Sequence, residues 1–329
     1  MMRFFVILFN IVLVVTLVVG GMGYVALRYY EAPSDLEAET NFIVNKGEGL
    51  NQISQKLHKE NIAEYPIIVK FFSYAYDLQA KIKAGEYQFP PHISPQQAIG
   101  MMVDGNTVRH KVTIIEGKTV FDAVSLIKSH EALSGEVTAL PQEGTLMPET
   151  YIFERNMPRD ALIKLMQDNQ LAFIKEQWAL REENLPIASP QEALTLASIV
   201  EKETGIASER DVVASVFINR LRKGMRLQSD PTIIYGITKG KGPLGRSIFR
   251  SDILSDQGGY NTYVIDALPP TPICNPSKEA IKAVLHPAKT NYIFFVADGT
   301  GGHAFSQTLK GHNNNVQKWR KIEKEMKNQ

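Results

Sequence analysis

From Phe4 to Leu27 the chain carries no charged side chain, and Asn10 and Thr16 are almost the only polar interruptions. About 20 consecutive apolar residues carry a helix across the hydrocarbon of a bilayer. The run has no amphipathic period, which argues against a core helix packed on one face. It exceeds the roughly 7–15 apolar residues of a secretion signal, and no small-residue cleavage site is evident after it. An uncleaved anchor is therefore expected, with the folded part of the chain on its C-terminal side. Arg3 and Arg28 flank the span almost symmetrically, so the positive-inside rule gives little direction. The acidic residues beyond it (Glu31, Asp35, Glu37 and Glu39) favour the outside of the membrane for the folded part.

The chain of 329 residues has room for two domains, or for one large domain with an extra module. A net charge of +1 supplies no field for gathering polyanions, and no basic run is interleaved with aromatics, so no nucleic-acid partner is expected. The lone cysteine, Cys274, excludes an internal disulfide and reads as a small buried hydrophobe. His286, His303 and His312 lack metal-ligand spacing and read as core or loop histidines, so no metal is expected. There is no GxSxG elbow and no P-loop, and Gly299 to Gly302 follows a strand without the helix a phosphate cradle needs.

The fold class expected is α+β. After the anchor and short N-terminus (1–30) comes a polar, acidic linker (31–40), then two small strand–turn–helix units. In the first (41–106), Asn41 to Val44 reads as a strand, Leu50 to Lys59 as a helix with Leu50, Ile53 and Leu57 on one side, Ile67 to Tyr76 as a second helix, and Ala84 to Phe89 as another strand. In the second (107–155), His110 to Ile115 is a strand and Val120 to Ile127 a helix. A mixed α/β domain occupies 156–329, opening on a helix over Asp160 to Trp178. Asn291 to Asp298 is its strongest strand, and Asn313 to Gln329 a charged surface helix.

The chemistry concentrates between Ser189 and Ile273. Ser189-Pro190-Gln191-Glu192 is a helix start, with Ser as N-cap and Pro at the first helical position. The helix runs to about Thr204, with Gly205 as a left-handed stop. On its wheel Ala193, Leu194, Leu196, Ala197, Ile199 and Val200 make a wide apolar arc, with Thr195, Ser198 and Lys202 opposite. Glu201 and Glu203 fall on the two edges of the arc. Bulkier neighbours make Glu203 slightly the more desolvated, and a carboxyl kept from water holds its proton towards neutrality, as a general acid must. An ordinary edge glutamate paired with a lysine or arginine fits the same wheel. The next helix is expected from Ser208, capped with Asp211. Arg220 projects into its apolar side and requires a partner, with Glu201 or Glu209 nearest in sequence. Asn219 lies at the arc's margin, free for a ligand or a loop carbonyl.

Beyond it, Gln228, Ser229, Asp230 and Thr232 form a polar loop before Tyr235, and Tyr260-Asn261-Thr262-Tyr263 comes later. Amides, hydroxyls and aromatic rings on rigid loops are what carbohydrate recognition uses.

The runs Ala197 to Thr204, Ala207 to Asp211, Val216 to Leu221 and Leu227 to Thr232 closely resemble the MltG (YceG-like) family of endolytic murein transglycosylases. Tyr260 to Tyr263, Leu268-Pro269-Pro270, His286-Pro287-Ala288, Phe295 to Gly299 and Gly301-Gly302-His303 extend the likeness, as do Ala84 to Tyr87 and Pro148 to Tyr151. Two small departures are Glu149, where aspartate is expected, and Cys274 within the proline-rich loop. The resemblance implies a single-pass inner-membrane protein with a cytoplasmic N-terminus, a LysM-like module over 41–106, and a catalytic domain facing the cell wall. It implies Glu203 as the catalytic acid. From the residues themselves, Asn219, Gln228, Asp230, Thr232, Tyr235, Asn261 and Tyr263 are expected to meet substrate, and Glu201, Glu209 and Arg220 to give structural support. The implied reaction is cleavage of peptidoglycan glycan strands without a cofactor, with peptidoglycan synthases as possible protein partners. A membrane-anchored, non-enzymatic wall-binding scaffold is the alternative.

Overall fold

The structure, a computed structural model, describes residues 2–327. The apolar run lies within one long helix, α1 (Met2–Glu31), long and apolar enough to cross a membrane. The chain divides into two compact units. The first takes residues 1–110 and 152–156, the second 111–151 and 157–329.

In the first unit, α1 leads through a connector to β1 (Thr40–Val44), α2 (Leu50–Lys59), α3 (Pro66–Ala75), β2 (Gly85–Phe89) and α4 (Pro95–Asp104). β1 and β2 pair antiparallel, from Thr40 opposite Phe89 to Val44 opposite Gly85. This register turns Phe42, Val44, Tyr87 and Phe89 onto Ile53 and Leu57 of α2 and Ile99 of α4 in one core. The connector is not a free tether. Leu36 is buried, and its carbonyl accepts the His92 amide at 2.8 Å. α4 is an addition to the expected elements, although Ser94-Pro95 starts it as Ser189-Pro190 starts a later helix. Ser94 Oγ accepts from the Gln97 amide and Gln97 Oε1 from the Ser94 amide. Buried Glu86 accepts from His110 Nε2 at 2.5 Å and Arg155 Nε at 2.7 Å. Burial raises its pKa, but the Arg155 and His110 bonds prevail and hold it below the ordinary value.

β3 (Arg109–Thr113) pairs with β5 (Thr150–Glu154), α5 (Val120–Ser129) lies between them in sequence, and a parallel bridge joins β4 (Leu133–Ser134) to β6 (Met157–Pro158). The second unit continues with α6 (Arg159–Ala179), α7 (Pro190–Glu203), a 3-10 turn (Ala207–Glu209), α8 (Arg210–Arg222), α9 (Asp230–Thr238), α10 (Arg250–Leu254) and α11 (Lys278–Leu285). The antiparallel pair β7 (Phe294–Ala297) and β8 (His303–Ser306), and α12 (Leu309–Lys327), close the chain. The last two residues of the expected C-terminal helix lie outside the described residues.

The core of this unit joins Leu196, Ala197 and Val200 of α7 to Val213 and Phe217 of α8 and Ile281 and Val284 of α11. Truncating Phe217 to alanine is predicted to lower stability by about 3–5 kcal/mol, the usual effect of removing a buried aromatic, as read by denaturant unfolding. α7 is buried all round from Ala193 to Val200, not on one arc. Thr195 and Ser198, placed opposite the arc by the wheel, are enclosed. Their hydroxyls bond to the Gln191 and Thr195 carbonyls, which makes enclosure tolerable. Ser198 Oγ also accepts the Ile273 amide at 2.9 Å.

Two expected helix boundaries differ. The chain leaves α7 through an extended, buried Thr204 (φ −141°, ψ 129°), whose Oγ1 accepts the Ile206 amide, so Gly205 does not form a left-handed stop. Ser208 and Asp211 do not cap α8 either. Asp211 Oδ1 accepts from Val212, and α8 begins after the 3-10 turn without a side-chain cap.

Candidate active site

Glu203 is the last residue of α7. There the negative end of the helix dipole faces it, and a carboxylate is disfavoured. Glu203 as a residue is half-buried. Burial raises its pKa above the ordinary value. The negative charge of Asp230 adds to this, while the Ser229 hydrogen bond and the charges of His303 and Arg220 act against it. Ser229 Oγ donates directly to Glu203 Oε1 at 2.5 Å.

Ser229 owes its place to a network of hydroxyls. Its amide donates to Thr262 Oγ1 at 2.9 Å, and its carbonyl accepts from Thr232 Oγ1 at 2.6 Å. Thr232 and Thr262 share a further bond at 2.9 Å. Gln228 precedes it in the left-handed region (φ 55°), which turns the chain so that the next residue meets the end of α7. The Gln228 amide donates to the Thr262 carbonyl.

Arg220 holds this turn from below. It is buried, and its Nε donates to the Ile293 carbonyl at 2.7 Å. Its Nη1 donates to the Leu227 carbonyl at 2.8 Å and to the Arg226 carbonyl and Gln228 Oε1, both at 3.2 Å. The expected pairing with Glu201 or Glu209 is not formed. The guanidinium fork instead matches several carbonyls at once, which a single carboxylate could not do for this loop. Glu201 accepts from the Ser277 amide at 2.9 Å and from its hydroxyl, fastening α7 to the start of α11. Glu209 accepts the His303 amide at 3.0 Å and bonds His303 Nδ1 at 2.7 Å. A side chain at Gly302 would collide with Glu209, since a Cβ there would stand 2.7 Å from its Oε1.

The structure thus gathers Glu203, Arg220, Gln228, Asp230 and Thr232 around one turn. Tyr263 joins them by donating from its hydroxyl to Asp230 Oδ1 at 2.7 Å, and burial pushes its own pKa upwards. Three expected residues bond elsewhere, and a fourth bonds within the network but is enclosed. Asn219 Nδ2 donates to the Thr290 and Tyr292 carbonyls. Asn261 is fully buried and donates to the carbonyls of Asp252, Ile253 and Ser255. Thr232, although in the network, is also fully buried. Tyr235 donates to Glu143 at 3.2 Å, a carboxyl whose pKa burial raises. These residues shape the loops rather than facing solvent.

Two further residues belong to the site. Ser229 is one more polar loop residue in the sequence, and only the fold sets it against Glu203. His303 has the spacing of a core or loop histidine, yet its charge acts on Glu203 and Glu209 fixes its ring. The Gly301-Gly302-His303 run is the one signal of it along the chain. Among the described residues, no group of three or more His, Cys, Asp or Glu side chains is arranged to hold a metal ion.

A family model described as the YceG-like family matches residues 42–318. An endolytic murein transglycosylase of Bacillus subtilis is 36% identical over 180 residues, covering 54% of this chain and 48% of that protein. One from Streptococcus pneumoniae strain R6 is 27% identical over 366 residues, covering 95% of this chain and 64% of that protein. This chain therefore spans about half to two thirds of the length of these relatives. The crystal structure of a putative yceG-like protein of Listeria monocytogenes aligns with a TM-score of 0.53 at 28% identity, over 84% of this chain and 98% of that one.

Proposed function

This chain belongs to the YceG-like family, and on that premise we propose that it is an endolytic peptidoglycan lytic transglycosylase. It cuts the bond between N-acetylmuramic acid and N-acetylglucosamine inside a nascent glycan strand, leaves a 1,6-anhydromuramyl end, and so stops elongation. The observation that carries this reading is the carboxyl of Glu203 at the end of α7, held by Ser229 and raised in pKa by burial.

In this mechanism protonated Glu203 donates to the glycosidic oxygen as the bond to C1 breaks. The resulting carboxylate accepts the proton of the muramyl C6 hydroxyl, whose oxygen attacks C1 and closes the anhydro ring. The nucleophile belongs to the substrate, so the second carboxylate of most glycosidases has no task here. Ser229 orients the carboxyl, and Arg220 and Gln228 keep Ser229 in place. Gln228, Asp230 and Tyr263 line the side from which a sugar would be bound.

The catalytic domain of this reading is 156–329, preceded by a second small α+β segment, 107–155. Residues 41–106 act as a LysM-like module, consistent with the chain order β1–α2–α3–β2, in which two helices connect a pair of antiparallel strands. α1 crosses the inner membrane once, with its N-terminus in the cytoplasm and the bulk of the chain in the periplasm. There the enzyme lies beside newly made strands and the synthases that extend them.

Mass spectrometry of peptidoglycan digested by the full-length protein in detergent tests the reaction class. Anhydro ends are expected. Reducing ends would identify a hydrolase, and an unaltered substrate would favour the wall-binding scaffold. Ser229→Ala supplies a subtler check. The Ser229 hydroxyl stabilises the charged form of Glu203, so its loss raises the Glu203 pKa further. The alkaline limb of kcat/KM is predicted to move to higher pH in this variant. An unmoved or lowered limb would separate Ser229 from the acid.

A further inference from the structure

One face of α3 is at odds with a helix bathed in water. Val69, Phe72 and Ser73 pack inward, whereas Ile67, Phe71 and Tyr74, at positions i, i+4 and i+7, are 66%, 61% and 62% exposed. A contiguous apolar stripe of this kind marks an interaction surface. The only charge on the helix lies at the edge of the stripe and is tied to α2. Lys70 is half-buried and donates to Asn51 Oδ1 of α2 at 3.1 Å.

The stripe continues onto the apolar surface of α1. Tyr29 meets Tyr65 edge-on at 5.1 Å, and Tyr30 stacks on Phe72 at 4.7 Å. An open apolar trough between the two helices is lined by Leu17, Gly21, Met22 and Val25 of α1 with Ile67 of α3 and Tyr65 just before it. Leu17 precedes Arg28 by about 16 Å of helix at 1.5 Å per residue, so the trough runs along the apolar part of the anchor. Exposed Tyr65 and Tyr76 stand at the two ends of α3, and tyrosine is a residue of the membrane interface.

We propose that α3 lies in the lipid interface of the leaflet from which the C-terminal end of α1 emerges, with Ile67, Phe71 and Tyr74 immersed among phospholipid chains. The occupant of this surface is the bilayer itself, because the surface is continuous with the span. The buried connector at Leu36 then holds the β1–β2 module down on the membrane. This inference rests on α1 crossing the membrane and does not depend on the catalytic reading.

The test places an environment-sensitive fluorophore on cysteines introduced one at a time at Val18, Ile67, Phe71 and Lys324 of the full chain. The protein is reconstituted in phosphatidylethanolamine–phosphatidylglycerol vesicles containing a lipid with a spin-labelled acyl chain. Cys274 is fully buried and stays unlabelled. Positions 18, 67 and 71 are expected to show blue-shifted, strongly quenched emission, and position 324, on the charged helix α12, neither. Quenching at 18 with positions 67 and 71 behaving like 324 overturns the proposal and leaves the anchor standing. Absence of quenching at 18 removes both. Residues 67 and 71 are exposed, so their replacement does not disturb the core.

Discussion

Glu203→Gln is expected to reduce the rate of anhydromuramyl formation by about 10²–10⁴-fold, the usual contribution of a positioned general acid–base. Glutamine preserves the shape and can still accept the Ser229 hydrogen bond, but it carries no proton to give. KM should change little, because the loss lies in the chemical step. The same variant has an opposite effect on stability. The folded state raises the Glu203 pKa, so it binds the proton more tightly than the unfolded chain does. Wild-type stability therefore falls as pH rises from the ordinary carboxyl value to the raised one. Glutamine removes that loss. The variant should melt above wild type at alkaline pH, and the difference should vanish below the ordinary carboxyl value. A uniformly less stable variant would show that the lost activity came from damage to the fold.

Arg220→Met is expected to be the most damaging change near the site that leaves Glu203 itself intact. It removes the donor shared by the carbonyls of Ile293, Leu227 and Arg226 and by Gln228. Hydrogen bonds to a charged group contribute about 1.5–3 kcal/mol each, and buried acceptors left unpaired carry a penalty of similar size. With partial relaxation the total is about 3–5 kcal/mol, enough to lower Tm by on the order of 10 °C. Activity should fall with it, because the turn that presents Ser229 loses its support. Arg220→Lys keeps the charge but not the fork, and should recover only part of both losses. Differential scanning calorimetry with a parallel digestion assay reads both. Wild-type melting of Arg220→Met would show that the network is not structural.

Local determinants are legible along the chain, and distant ones are not. The start of α7 is readable because Ser189 and Pro190 act within one turn, and Ser189 Oγ does accept the Glu192 amide at 3.2 Å. The apolar spacing of α2 and the strands at 40–44 and 85–89 are readable for the same reason. α4, absent from the expected elements, carries an equally local signature in Ser94-Pro95-Gln96-Gln97, so nothing physical hides it. Other features depend on the whole fold. The wheel of α7 cannot show that the fold buries Thr195 and Ser198 as well as the arc, with Ile273 and Cys274 laid against Ser198. The partners of Arg220 lie beside β7 and on the turn before α9, so proximity in sequence to Glu201 and Glu209 misdirects the pairing. Likewise, the charge of His303 acts on Glu203 from β8, a hundred residues downstream of α7, through a fold no periodicity encodes. Glu201 and Glu203 of α7 look alike along the chain. They differ because Glu201 meets Ser277 at α11, whereas Glu203 meets Ser229 beside Asp230.

The fate of water oxygen tests the mechanism most directly. Peptidoglycan digested in ¹⁸O-enriched water by the full-length wild type should yield anhydromuramyl ends free of label, and Glu203→Gln should yield almost none. Label incorporated at the new ends, or undiminished product from Glu203→Gln, would contradict it.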